Sequence, residues 1–252
     1  PYDKTVHELS FEEAYFKYCK NEFEGNYNPF GKTFRFLSTY RLIEPYKTTL
    51  VNHNEIEKVL REFLERSTDN QSVYRQVLDS GKFTADEVFY DMMLLLFAGF
   101  DTTSHAVVSA LYCLHKYPDT LVELKAALKK NGILDLDPST GPELKTLYEE
   151  CDYLNYFIKE TIRFDPPAIH SIMYLAKEDL TICGIPIKAG SNITMDYFML
   201  HYNPTEWAKP LEFIPERFNP ESEYFFKPNS KETRDPKSYI PFSFGIRNCA
   251  GQ

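Results

Sequence analysis

Phe242-Ser-Phe-Gly245-Ile-Arg247-Asn-Cys249-Ala-Gly251, near the end of a 252-residue chain, sets a lone cysteine among two glycines, an aromatic residue and an arginine. A thiolate that ligates a heme iron needs shelter from water, donors that lower its basicity, and a close backbone turn. Gly245 lets the backbone approach the macrocycle, and Phe242 is placed to shield the sulfur. Arg247 suits a heme propionate, because a guanidinium matches a carboxylate fork. Cys249 is expected at a helix start, where backbone amides stabilise a thiolate. For Cys249 taken alone, the competing reading is a buried, inert cysteine in a glycine-containing turn.

The spacing F-x-x-G-x-R-x-C-x-G resembles the heme-ligand signature of the cytochromes P-450 at every fixed position. Five specified positions at about 5% each give a chance match of roughly one in ten thousand. Thiolate ligation of iron is a known property of that family. The resemblance therefore implies Cys249 as axial ligand of heme b (iron protoporphyrin IX), with Phe242, Gly245, Arg247 and Gly251 around the cofactor.

Upstream, Ala98-Gly99-Phe-Asp101-Thr102-Thr103 falls midway along a long apolar stretch. A glycine in mid-helix costs about 1 kcal/mol relative to alanine, so Gly99 needs a purpose, such as admitting a flat ligand beside Ala98. Thr102 can bond the carbonyl one turn back and loosen the helix. The alternative is a plain helix kink with a buried threonine. The stretch is similar to the family's oxygen-activation motif, which implies that Asp101 and Thr102 deliver protons to iron-bound dioxygen.

Glu160-Thr-Ile-Arg163 puts an acid and a base on one helix face, and Pro215-Glu-Arg217-Phe218 follows. As an isolated surface pair Glu160 and Arg163 contribute only a few tenths of a kcal/mol. The family resemblance implies a buried triad of Glu160, Arg163 and Arg217 that serves fold integrity near the thiolate. One departure stands out. After Pro166-Pro167 the family commonly places a propionate-binding arginine, whereas here only His170 could carry charge. A cavity-lining or merely satisfied role suits His170 better. His201 is read as a structural turn residue, and Trp207 as packed against the Pro-rich segment.

The composition is that of a globular protein, with 43% hydrophobic and 26% charged residues. A net charge of −9 excludes a general nucleic-acid binder. Residues 219–252 form a local exception, with five bases against four acids. That segment reads either as a docking patch for an acidic reductase or as a solvated loop. Five scattered cysteines without a C-x-x-C pair argue against a disulfide framework or a zinc site. The Asn70 and Asn192 sequons read as chance matches. The longest apolar run, Met92 to Phe100, is short of the ~18 residues that span a membrane.

Helical spacing appears over Phe11–Phe23 and Asn54–Glu65, with Gly25–Thr49 irregular between them. A capping box, Thr84-Ala-Asp-Glu87, opens a helix to about Lys116 that should cross the centre of the fold. Helices follow over about Asp119–Lys130 and Cys151–Phe164. Short strands are expected over Leu180–Cys183, Ile185–Lys188 and Asn192–Met195, with mostly irregular chain after Asn203. The fold class is mainly α with a minor β-sheet, P-450-like and incomplete: the N-terminal part and the helix after the heme cysteine are read as missing. Residues 1–252 form a single partial heme-thiolate domain, in which 1–80 match the family weakly and 84–251 carry the motifs.

The resemblance implies a heme-dependent monooxygenase that inserts one oxygen atom from O2 into an apolar substrate bordered by Phe97, Ala98, Ile169 and Ile172. No nicotinamide or flavin fingerprint is present, so electrons come from an NADPH-dependent cytochrome P-450 reductase or another donor. The same resemblance implies the cytosolic face of the endoplasmic reticulum membrane, reached through the absent N-terminus. The rivals are a heme-thiolate lyase or isomerase, against which the acid–threonine pair counts, and a non-catalytic heme-binding protein. The fragment by itself is expected to be inactive.

Overall fold

The computed structural model describes residues 10–27, 46–66, 72–137, 139 and 141–252. The chain divides into two compact units, Pro1–Ala98 and Gly99–Gln252.

In the first unit lie α1 (Phe11–Tyr27), α2 (Tyr46–Arg66), α3 (Val73–Asp79) and the opening of α4 (Ala85–Lys116). Ala14 and Tyr15 of α1, Ile56, Val59 and Leu60 of α2, and Phe89 and Met93 of α4 make one buried cluster. The Tyr15 hydroxyl donates to the Met93 carbonyl at 3.2 Å, so this polar tip is not stranded. Arg61 lies 4.0 Å over the Phe89 ring and pairs with Asp86 at 2.9 Å, which ties α2 to the first turn of α4. The capping box forms as the sequence predicts. Thr84 N donates to Glu87 Oε2 at 2.8 Å and Glu87 N to Thr84 Oγ1 at 3.2 Å. Of the stretch expected to be irregular, 25–27 and 46–49 are helical; 28–45 and Asn70 lie outside the described residues.

The second unit holds the rest of α4, then α5 (Pro118–Lys130), α6 (Gly141–Glu150) and α7 (Asp152–Phe164). Proline opens α5, where its missing N–H is harmless, and Gly132 at φ 68° ends the segment. Pro166 bars α7 from continuing beyond Asp165. Cys113, Leu124, Phe157 and Phe213 form the buried centre of this unit. Instead of one minor sheet there are two separate two-stranded antiparallel sheets: β1 (Tyr174–Leu175) with β4 (Asn192–Ile193), and β2 (Leu180–Ile182) with β3 (Ile185–Ile187). Cys183 and Gly184 take positive φ of 49° and 80°, which closes the β2–β3 hairpin. Short helix α8 (Tyr197–His201) follows, capped by the Asp196 side chain on Met199 N. Beyond it the chain is mostly irregular, broken by single 3-10 turns.

One expectation fails. The middle of α4 does not run through a core of this chain: Leu94, Leu95, Leu96, Phe100, Val107, Val108, Leu111 and Tyr112 are all exposed. Apolarity around a helix says that cover is needed and does not say that neighbouring residues of the same segment supply it. By length and composition α4 could also cross a membrane.

Candidate active site

The cysteine loop is closed on itself by its backbone. Ser243 N donates to Ile240 O at 3.0 Å, Asn248 N to Gly245 O at 3.1 Å, and Cys249 N to Phe242 O at 2.8 Å. Ser243 and Gly245 take φ of 63° and 77°, and a Cβ on Gly245 would meet open space. That position is left-handed and uncrowded, so a flat group can come close to the backbone there. The Cys249 thiol is exposed, and Gly251 N donates to its sulfur at 3.3 Å. Gly245–Arg247 form a 3-10 turn before Cys249, and residues 250–251 form a turn after it. The tie between Phe242 and Cys249 is through the main chain. Arg247 is exposed, with its guanidinium available to an anionic group.

Ala98, Gly99, Asp101 and Thr102 sit on exposed turns of α4, which runs unbroken through them. Ser104 Oγ donates to the Phe100 carbonyl one turn back at 2.7 Å.

The charged triad is drawn together. Arg163 grips both oxygens of Glu160 at 2.8 Å, Arg217 Nε reaches Glu160 Oε1 at 3.2 Å, and all three side chains are fully buried. Two guanidiniums against one carboxylate leave an excess positive charge, which backbone carbonyls solvate. Arg163 donates to His201, Pro210 and Glu212, and Arg217 to Ala208, Lys209 and Glu212. Ile214 N adds a donor to Glu160 at 2.8 Å, fixing the entry to the Pro215–Phe218 turn.

Sequence reasoning missed two partly buried cations here. Arg234 lies 4.2 Å over Trp207 and donates to the Tyr224 and Arg217 carbonyls, both at 2.7 Å. Burial, with Arg217 nearby, pulls its pKa down to about 10. Lys227 pairs with Glu206 at 3.3 Å. Two of the five bases in the presumed docking segment are therefore spent internally. His201, read as a structural turn residue, is fully buried at the end of α8, and its Nε2 accepts from Ile240 N at 3.4 Å. His170 is exposed and bridges to Asp196 through the backbone. Only the Pro-rich context hinted at Arg234; nothing local marks it as buried.

The donor set suits a heme. A single exposed thiol, without a group of three or more His, Cys, Asp or Glu side chains about it among the described residues, cannot build a protein-only metal cage. It can complete the coordination of an iron that brings its own four ring nitrogens. The open backbone at Gly245 and the exposed Arg247 fit the face and the carboxylates of such a ring.

The sequence profile of the family "Cytochrome P450" matches residues 4–252. Cytochrome P450 3A2 of Rattus norvegicus is 34% identical over 165 residues, covering 66% of this chain and 30% of the relative. Cytochrome P450 3A5 of Homo sapiens is 32% identical over 199 residues, covering 79% of this chain and 36% of the relative. The chain thus spans about a third of the length of the curated relatives it matches.

Proposed function

Because this chain belongs to the cytochrome P450 family, we propose that it carries the heme-binding half of a monooxygenase, in which Cys249 would hold the iron of heme b. The observation that carries this reading is the Cys249 loop: an exposed thiol with an amide donor from Gly251, in a bulb whose glycine leaves the backbone open. When bound, the heme supplies activation of dioxygen for insertion of one oxygen atom into an apolar substrate. The chain's own part is to hold and aim. Gly251 N donates to the sulfur and holds it in place, and Arg247 anchors a propionate. Asp101 and Thr102 hold the protons that the oxygen chemistry consumes. Glu160, Arg163 and Arg217 lock α7 to the Pro-rich segment that leads into the loop. Electrons come from an NADPH-dependent reductase, and the setting is the cytosolic face of the endoplasmic reticulum.

The test is a carbon monoxide difference spectrum of the reduced, full-length protein with and without Cys249→Ala. The expected result is the red-shifted band typical of thiolate ligation in the parent and its loss in the variant. A folded, heme-loaded parent without that band sinks the assignment. The lyase and isomerase alternative is not favoured, since it has no use for the acid–threonine pair that α4 carries.

A further inference from the structure

We propose that His201 is a positioning residue for Cys249: through the main chain of Ile240, its imidazole fixes the loop that carries the thiol. This rests on the reading of Cys249 as the heme ligand and names a side chain that holds it from outside the loop. The chain enters the loop through Ile240-Pro241-Phe242-Ser243. Ile240 is buried, and its amide donates to His201 Nε2 at 3.4 Å. Pro241 has no N–H, so Ile240 offers the last main-chain donor before Phe242. The Ile240 carbonyl accepts from Ser243 N at 3.0 Å, which closes a four-residue turn, and Ser243 leaves that turn at a φ of 63°. The Phe242 carbonyl, carried on the turn, accepts from Cys249 N at 2.8 Å. A displacement at Ile240 therefore reaches Cys249 through main-chain links alone, with no flexible side chain to absorb it.

His201 is itself held firmly. It ends α8 and is fully buried. Its carbonyl accepts from Arg163 Nη1 at 3.0 Å, and Trp207 Nε1 donates to the neighbouring Leu200 carbonyl at 3.1 Å. Its ring lies 5.3 Å from that of Tyr239, whose hydroxyl donates to the Lys159 carbonyl at 3.1 Å. Lys159 and Arg163 are one turn apart on α7, so the imidazole and the residue before Ile240 are both referred to that helix. Burial pulls the His201 pKa down to about 4, so near pH 7 the ring is neutral and Nε2 keeps its lone pair. An apolar side chain in the same place would strand the Ile240 N–H, and a buried donor without a partner drives the chain to rearrange.

The competing account is that the ring only fills space beside Tyr239. Variants of the heme-loaded, full-length protein separate the two. In the carbon monoxide difference spectrum, the ratio of the red-shifted band to the unshifted band of a displaced thiol should fall on the order of tenfold in His201→Leu, the weight of one stranded amide. His201→Gln, which offers Ile240 N a carbonyl oxygen, should restore most of that ratio. A ratio in His201→Leu equal to the parent's overturns the proposal, however much stability the variant loses. So does a His201→Gln that fails as badly as leucine, because packing of the ring would then set the loop. Should His201→Leu not fold, the parent decides by nitrogen NMR of labelled histidine, with the His201 signals assigned by their loss in His201→Gln. The ring should be protonated on Nδ1 and bare on Nε2; a hydrogen on Nε2 rules out the bond to Ile240 N and overturns the proposal. A folded, heme-loaded parent without the red-shifted band instead defeats the reading of Cys249, while the tautomer still reports on His201.

Discussion

His201 shows how a residue acquires its chemistry from packing. Its Nε2 accepts from Ile240 N, its carbonyl takes a hydrogen bond from Arg163, and its ring lies 5.3 Å from that of Tyr239. Because Nε2 accepts, Nδ1 must carry the hydrogen, and that atom has no partner among the described residues. Burial, reinforced by the Arg163 guanidinium, pulls its pKa down to about 4. The unfolded chain therefore binds a proton near pH 6.5 that the folded chain refuses until about pH 4. Stability from this group is complete above pH 6.5 and is lost as pH falls through that window, by about 3 kcal/mol in all. Denaturant titrations at steps from pH 7 to pH 4 should show this loss in the parent. His201→Gln, which keeps an acceptor for Ile240 N, should show a shallower slope; equal slopes would mean that other groups carry the pH dependence. The Glu160, Arg163 and Arg217 set was legible in the sequence because its members keep fixed spacing on one helix and one turn. The surroundings of His201 and Arg234 were not, since His201 is packed by Arg163 and Ile240, each more than 30 residues away, and Arg234 by Trp207, 27 residues back along irregular chain.

At the scale of elements, boundaries set by local chemistry were readable and short pieces set by tertiary contact were not. The start of α4 follows from Thr84 and Glu87, the end of α7 from Pro166, and the β2–β3 turn from Gly184. Helices α3 and α8, with 7 and 5 residues, offer too few turns for a periodic pattern and rest on caps by Ser72 and Asp196. Neither was expected. The capping box of α4 is exposed, so its contribution can be read without disturbing a core. Thr84→Ala removes the acceptor for Glu87 N and should cost about 1 kcal/mol. The check is the denaturation midpoint alongside Thr84→Ser. Serine should restore most of the loss, whereas a loss that serine fails to restore would locate the effect in packing of the threonine methyl.

Over the whole molecule, the question is what covers α4. Its window of greatest hydropathy is only 6% buried in this chain, and exposed apolar rows of that length mark an interaction surface. Lipid and protein are the two candidates. Asp101 stands at the midpoint of Ala85–Lys116, with Thr102, Thr103 and Ser104 directly after it. An aspartate at the centre of a bilayer costs about 3 kcal/mol, enough to offset five or more leucine-class residues at about 0.5 kcal/mol each. The balance favours a cover made of protein and cofactor, in keeping with relatives about three times as long as the aligned stretch. Val108 and Leu111, at 65% and 63% exposed, test this directly. Expressed as these 252 residues, the chain should bind a hydrophobic dye and self-associate, and Val108→Glu with Leu111→Lys should reduce both. Placed in the full-length protein, the same pair should weaken folding and heme uptake, because charges would be buried without partners. If the doubly substituted full-length protein takes up heme as the parent does, this side of α4 faces water in the full-length protein and needs no cover.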